Sequence, residues 1–187
     1  MRHLGHDYYV CLLSAAEMHG FAHQRPQIFQ VMTPAQLRDR SFGRVRLSFV
    51  TSSNTGSRPV IMRNTPTGTM RISTPEVTAL DLVLMPQHGG GLSNVATILE
   101  EMVRDVALNP VKLAELAGGY PIAIAQRTGW LLEFVANEVG QSVNLARLLK
   151  VANSRITPAL LETHGLRRGP LDERWNVIVN GSIESDL

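Results

Sequence analysis

The sequence predicts an α+β fold: a small mixed or antiparallel sheet with an N-terminal core helix, then a helical subdomain, then a C-terminal strand returning to the sheet. Three observations carry this. Period-two alternation is confined to the stretch before residue 72, whereas helical spacing of apolar residues dominates after it. No strand–helix–strand periodicity runs along the chain, so a dinucleotide-type parallel fold is not expected. Formal charge divides in the same place. Residues 1–75 hold nine Arg against Asp7, Glu17 and Asp39, or +6, which leaves about −4 of the overall +2 for the remainder.

The layout turns on the stretch from Ile72 to Met85, ISTPEVTALDLVLM. Thr74 and Pro75 mark a helix start, because proline fills a first-turn position whose donor has no partner, and Ser73 with Glu76 suits a capping box. Val77, Leu80 and Leu84 recur at helical spacing, widened by Ala79 and Val83; Pro86 and Gly89–Gly91 end the helix as a linker. Upstream, YYVCLLSAAEMH predicts a core helix over 8–19, with Tyr8, Cys11, Leu12, Ala15 and Met18 on one face and Gly20 as terminator. Gln27–Thr33 is apolar on both faces and suits an internal strand stopped by Pro34. Gly43–Thr51 alternates Val45, Leu47 and Phe49 inward against Arg44, Arg46 and Ser48 outward, as a half-solvated antiparallel strand does. Val60–Asn64 and Met70–Ile72 flank the turn Thr65, Pro66, Thr67, Gly68.

Downstream, Leu92–Ala107 reads as a helix with Val95, Ile98, Leu99, Met102, Val103 and Val106 on its apolar face and Ser93 or Asn94 as its cap. Asn109 and Pro110 open another helix, and Gly118 and Gly119 break it. Pro121 starts a third, whose stripe includes Gly129 and implies a close helix contact there. Ser142–Val151 repeats the pattern. A basic loop around Arg167 and Arg168 follows, and Trp175–Val179 reads WNVIV, a short strand placed to rejoin the sheet.

Composition excludes several function classes. The single Cys11 cannot form an internal disulfide and lies in an apolar run, as a buried thiol does. No run of eighteen apolar residues and no signal-peptide order is present, so the expectation is a soluble cytoplasmic protein with no membrane partner. His3 with His6 and His19 with His23 have no cysteine or carboxylate placed to complete a site, so no metal is expected. No phosphate loop, serine elbow or activated nucleophile occurs, which leaves no cofactor and no catalytic residue to name. A metal-dependent nuclease needs carboxylates on strands. Here Glu76 and Asp81 lie on one helix about 140° apart and do not converge on an ion.

The positive feature is Arg38, Arg40, Arg44, Arg46, Arg58, Arg63 and Arg71 in one predicted sheet region. A solvated strand face and a surface for an anionic partner both produce that pattern. No aromatic platform accompanies it, so single-strand binding by base stacking gains little support.

The stretches YYVCLLSAAEMHGFAHQRPQIFQVMTP, NTPTGTMRISTPEVTALDLV, QRTGWLL and RWNVIVNGSIESDL, with Gly89 and Gly90, resemble the AbiEi family of antitoxins of abortive-infection toxin–antitoxin systems. Ser14, Ala15, His19, Gly20, Glu76, Leu80 and Asp81 carry the family pattern, with Glu17 standing where a small apolar residue is expected. The resemblance implies one non-enzymatic antitoxin-type domain over 1–187: a basic α+β half (1–87), a helical half (88–155) and a loop with a C-terminal strand (156–187). It implies a cognate nucleotidyltransferase-type toxin as partner, and the basic sheet face or the helical face then contacts either that toxin or the nucleic acid on which the toxin acts. Ser14, His19, Gly20, Glu76 and Asp81 are then structural. The family pairs such a domain with an N-terminal winged helix that reads operator DNA, and nothing preceding Tyr8 resembles one, which puts sequence-specific repression by this chain in doubt. The reading kept beside it is an effector or dimerisation domain of a transcriptional regulator. Oligomeric state is left open.

Overall fold

A computed structural model describes residues 7–22, 26–66 and 68–183. Its contacts divide the chain into two compact units, Met1–Thr78 and Ala79–Leu187.

The first unit is a six-stranded mixed sheet. Its strands are β1 (Tyr9–Val10), β2 (Ile28–Thr33), β3 (Arg40–Phe42), β4 (Val45–Thr51), β5 (Val60–Thr65) and β6 (Gly68–Ser73), in the order β3-β4-β2-β1-β6-β5. Both edges are hairpins, β3–β4 and β5–β6, and the interior pairings β2–β4 and β1–β6 are parallel. The segment expected as a purely antiparallel strand is therefore antiparallel to β3 but parallel to β2. Its alternation weakens outward: Val50 is buried, Leu47 and Phe49 are half-buried, and Val45 at the hairpin end is 53% exposed.

Tyr9 and Val10 were expected in a helix, and this is corrected. They form the central strand, antiparallel to β2 through Tyr9↔Met32 and Val10↔Val31 and parallel to β6 through Val10↔Ile72. The helix α1 (Leu12–His19) starts after a sharp bend at Leu12, φ 53°, and ends at Gly20, whose φ of 90° is the left-handed conformation glycine tolerates. Ala15 packs on Val10 and Ile72, with Met18, Phe29 and Met70 around them, so α1 covers that face of the sheet.

The helix α2 (Pro75–Leu84) starts where the sequence places it, but by another bond. Thr74 Oγ1 accepts from the Val77 amide at 3.4 Å, and the Ser73 hydroxyl pairs with that of Thr78 at 2.7 Å. The expected stripe is nearly a full cylinder, since residues 76–83 are all buried while Leu84 is 37% exposed. The buried residues include Glu76, Thr78 and Asp81, so the helix is buried on every side without being apolar on every side.

In the second unit, α3 (Leu92–Arg104), α4 (Pro110–Ala117) and α6 (Ala146–Ala152) pack around α5 (Ile122–Glu138). Gly89–Gly91 is a fixed corner rather than a free linker. The side-chain amide of Asn94 donates to the Gly89 carbonyl at 2.6 Å, and Gly90 and Gly91 have φ of 82° and 98°. That bond engages Asn94 away from capping, and neither Ser93 nor Asn94 is the cap residue of α3, which is Gly91. Asn109 does cap α4, accepting from the amides of Val111 and Lys112.

The C-terminal strand does not return to the large sheet. Its part β9 (Val177–Ile178) is the middle strand of a separate three-stranded sheet, parallel to β7 (Ala159–Leu160) and antiparallel to β8 (Leu171–Asp172). The reason is local: Trp175, fully buried, lies against Gly129 on α5 and holds the strand there. The contact implied by Gly129 is thus with an indole, not a second helix.

Candidate functional site

The sheet topology divides the seven arginines instead of collecting them. Arg38, Arg40, Arg44 and Arg46 are exposed at the β3–β4 edge; Arg58, Arg63 and Arg71 belong to the β5–β6 edge. Between β4 and β6 lie β2 and β1, so the two sets are about 14 Å apart or more across the sheet. Arg44 sits in the two-residue turn after Gly43, φ 60°, so it does not share a strand face with Arg46 as expected. Arg40 and Arg46 point to opposite faces, because Arg40 opposes Leu47 and Ser41 opposes Arg46.

The second set has structural work. Arg63 donates to the Met18 carbonyl at 2.7 Å, satisfying an acceptor at the end of α1. Arg71 pairs with Asp7 at 2.8 Å. The β3–β4 set faces solvent beside the cross-strand pair Phe42 and Val45, 59% and 53% exposed, with Arg44 directly next to it; the other edge also exposes Ile61 and Met62, on β5.

The motif residues of the first unit converge on a clasp around α1. Ser14 Oγ accepts from the Gln30 amide at 2.9 Å and reaches the Ile28 carbonyl at 3.3 Å, while Gln30 Oε1 accepts from the Leu13 amide at 2.9 Å. At the other end of the helix, His19 Nε2 meets the Ser73 carbonyl at 2.7 Å, one residue ahead of the α2 cap. A carbonyl only accepts, so Nε2 carries the proton of the neutral ring. Burial, the largest influence, pushes the imidazole below its ordinary 6.5; the Ser73 bond opposes this, and smaller contributions come from Arg63, lowering, and Glu76, raising. Asp81 is 2% exposed and accepts the Tyr120 hydroxyl at 2.8 Å.

His3, His6 and His23 lie outside the described residues. Among the described residues no three His, Cys, Asp or Glu side chains gather as a metal site, and no helix is long and apolar enough to cross a membrane.

Residues 8–134 match the model of the AbiEi antitoxin C-terminal domain family, more than half of the chain. No curated protein matches. Among solved structures, the chain is similar to the RV2827C protein from Mycobacterium tuberculosis, at 15% identity and a TM-score of 0.61, over 92% of this chain. The chain spans 62% of that protein's length.

Proposed function

The chain belongs to the AbiEi antitoxin C-terminal domain family, and from that premise we propose that it is a non-catalytic antitoxin domain neutralising a nucleotidyltransferase-type toxin of a phage-defence system. An antitoxin role follows from the family, and a toxin partner with it. The likeness to the mycobacterial protein supports the fold. The domain is read as one antitoxin-type domain over 1–187, acting by binding.

One observation carries the choice of contact surface: the β3–β4 hairpin exposes the Phe42–Val45 pair on the face that carries Arg40, with Arg44 in the adjoining turn. An apolar anchor rimmed by arginine is the composition that concentrates binding energy at protein interfaces. Arg63 and Arg71 of the other edge are engaged within their own unit, and the clasp residues hold α1 to β2 and Ser73, so both are read as structural.

Co-expression with a neighbouring toxin, followed by pull-down from the same cells, tests this. Rescue with a stable complex supports direct binding, and the pair Phe42→Ser with Val45→Ser then abolishes both. Rescue without a complex shifts the target to the nucleic acid on which the toxin acts, and Arg44→Glu with Arg46→Glu separates the cases. If that double variant keeps full low-salt affinity for nucleic acid, the charged hairpin is not a nucleic-acid surface. Absence of rescue, or of any adjacent nucleotidyltransferase gene, favours the regulator-domain reading.

A further inference from the structure

The strongest unassigned feature lies in the second unit, where α5, the segment after α6 and the loop after β7 enclose a cleft of about 230 Å³. Arg127, Arg155 and Arg167 line it, together with Gln126, Thr157 and Thr163. Arg127 is only 9% exposed; its Nε donates to the Leu160 carbonyl at 2.6 Å, and its two terminal amino groups have no acceptor among the described residues. None of the three arginines forms an ion pair with a described carboxylate. Burial lowers the proton affinity of Arg127, and no neighbouring anion opposes it.

Partial burial of a guanidinium with no counter-charge among the described residues carries a desolvation cost, while its terminal amino groups stay open to the cleft. The cost is removed by an anion that takes both free ends of the guanidinium fork, and phosphate oxygens match that geometry. The same wall holds Gln126 Oε1, buried and without a donor among the described residues, which suits a ligand that also brings a hydroxyl. The loops are held in place beforehand. Asn176 donates to the carbonyls of Arg155 and Ile156 at 3.3 and 2.9 Å, and Asn180 donates to those of Glu162 and Leu166 at 3.0 and 3.1 Å. These two asparagines flank β9 and fix the backbone that presents Arg155 and Arg167. A cleft of this size is smaller than the ~300–1,000 Å³ typical of drug-sized ligands, so it fits a phosphoryl group with a sugar-sized body.

We propose that this cleft binds a phosphomonoester, with Arg127 as the buried fork and Arg155 and Arg167 closing on the outer oxygens. The site is independent of toxin neutralisation and stands whether or not the hairpin binds a toxin. Inorganic phosphate and adenosine 5′-monophosphate, titrated calorimetrically into the full chain at low ionic strength with adenosine as control, test it. Both phosphates bind at one saturable site and adenosine does not. In the Arg155→Gln, Arg167→Gln double variant, affinity falls roughly tenfold or more. Both positions are exposed, so that variant keeps its fold and decides the matter even if Arg127→Gln, which should abolish binding, fails to fold. Tighter binding of the monophosphate than of phosphate identifies a nucleotide-like ligand, whereas equal affinity identifies free phosphate. No saturable binding of either, unchanged affinity in the double variant, or adenosine binding as well as its monophosphate overturns the site.

Discussion

His19 shows what a single side chain contributes to the first unit. Its ring spans from the end of α1 to the Ser73 carbonyl, so the start of α2 and the end of α1 share one hydrogen bond. The folded state keeps the imidazole neutral because burial lowers its pKa from 6.5. The unfolded chain therefore binds more protons in the acidic range, and stability rises with pH there. The stabilisation is whole above about 6.5 and is lost as pH falls from that value toward the depressed folded pKa. Urea midpoints at pH 7.5 and 5.5 measure this. The wild-type chain loses stability on acidification, and His19→Gln loses less, because glutamine keeps a donor for Ser73 and has nothing to titrate. An equal loss in both would assign the pH dependence to other groups.

Short elements set the architecture of this fold, and they explain both what the sequence disclosed and what it did not. The β5–β6 hairpin, β2 and the helices α2 to α6 were legible, because each has enough residues for its period to repeat and a proline, glycine or asparagine at a boundary. Tyr9–Val10, Ala159–Leu160, Leu171–Asp172 and Val177–Ile178 are two residues each, too few for any period, and their identity as strands depends wholly on distant partners. The arginines failed for the same reason. Their closeness in sequence says nothing of β1 and β2 inserting between the hairpins. Arg127, Arg155 and Arg167 were never grouped, since only the folding of three separate segments brings them to one cleft. Gly129 was legible as a close approach but not as a seat for Trp175. A Cβ there would lie 1.9, 2.2 and 2.5 Å from three ring carbons. Since the indole Nε1–H is tied to Glu133, the ring has little freedom to retreat. Gly129→Ala is expected to destabilise by roughly 3 kcal/mol, the upper end for overpacking, despite the better helix propensity of alanine. Chemical denaturation followed by tryptophan fluorescence reads the change, and a neutral or stabilising result would show that β9 slides away without cost.

At the scale of the whole chain, the division between the two units falls inside α2, between Thr78 and Ala79. The first turn of that helix is built by groups of the first unit, through Thr74 and the Ser73–Thr78 hydroxyl pair. Its later residues belong to the second, where Asp81 receives the Tyr120 hydroxyl. A ten-residue helix is not stable alone in water, since its nucleation is unfavourable and its stability comes from packing. Melting either unit thus removes half the support of an element the other needs, and the two are expected to unfold together. Two probes check this in one urea titration. Fluorescence reports only the second unit, because Trp130 and Trp175 both lie there, and the His19 ring resonances report the first. Coincident midpoints establish α2 as a shared element. Separate transitions would mean that each unit stabilises its own part of the helix, and substitutions at the hairpin and at the arginine cleft would then act on independently folding bodies.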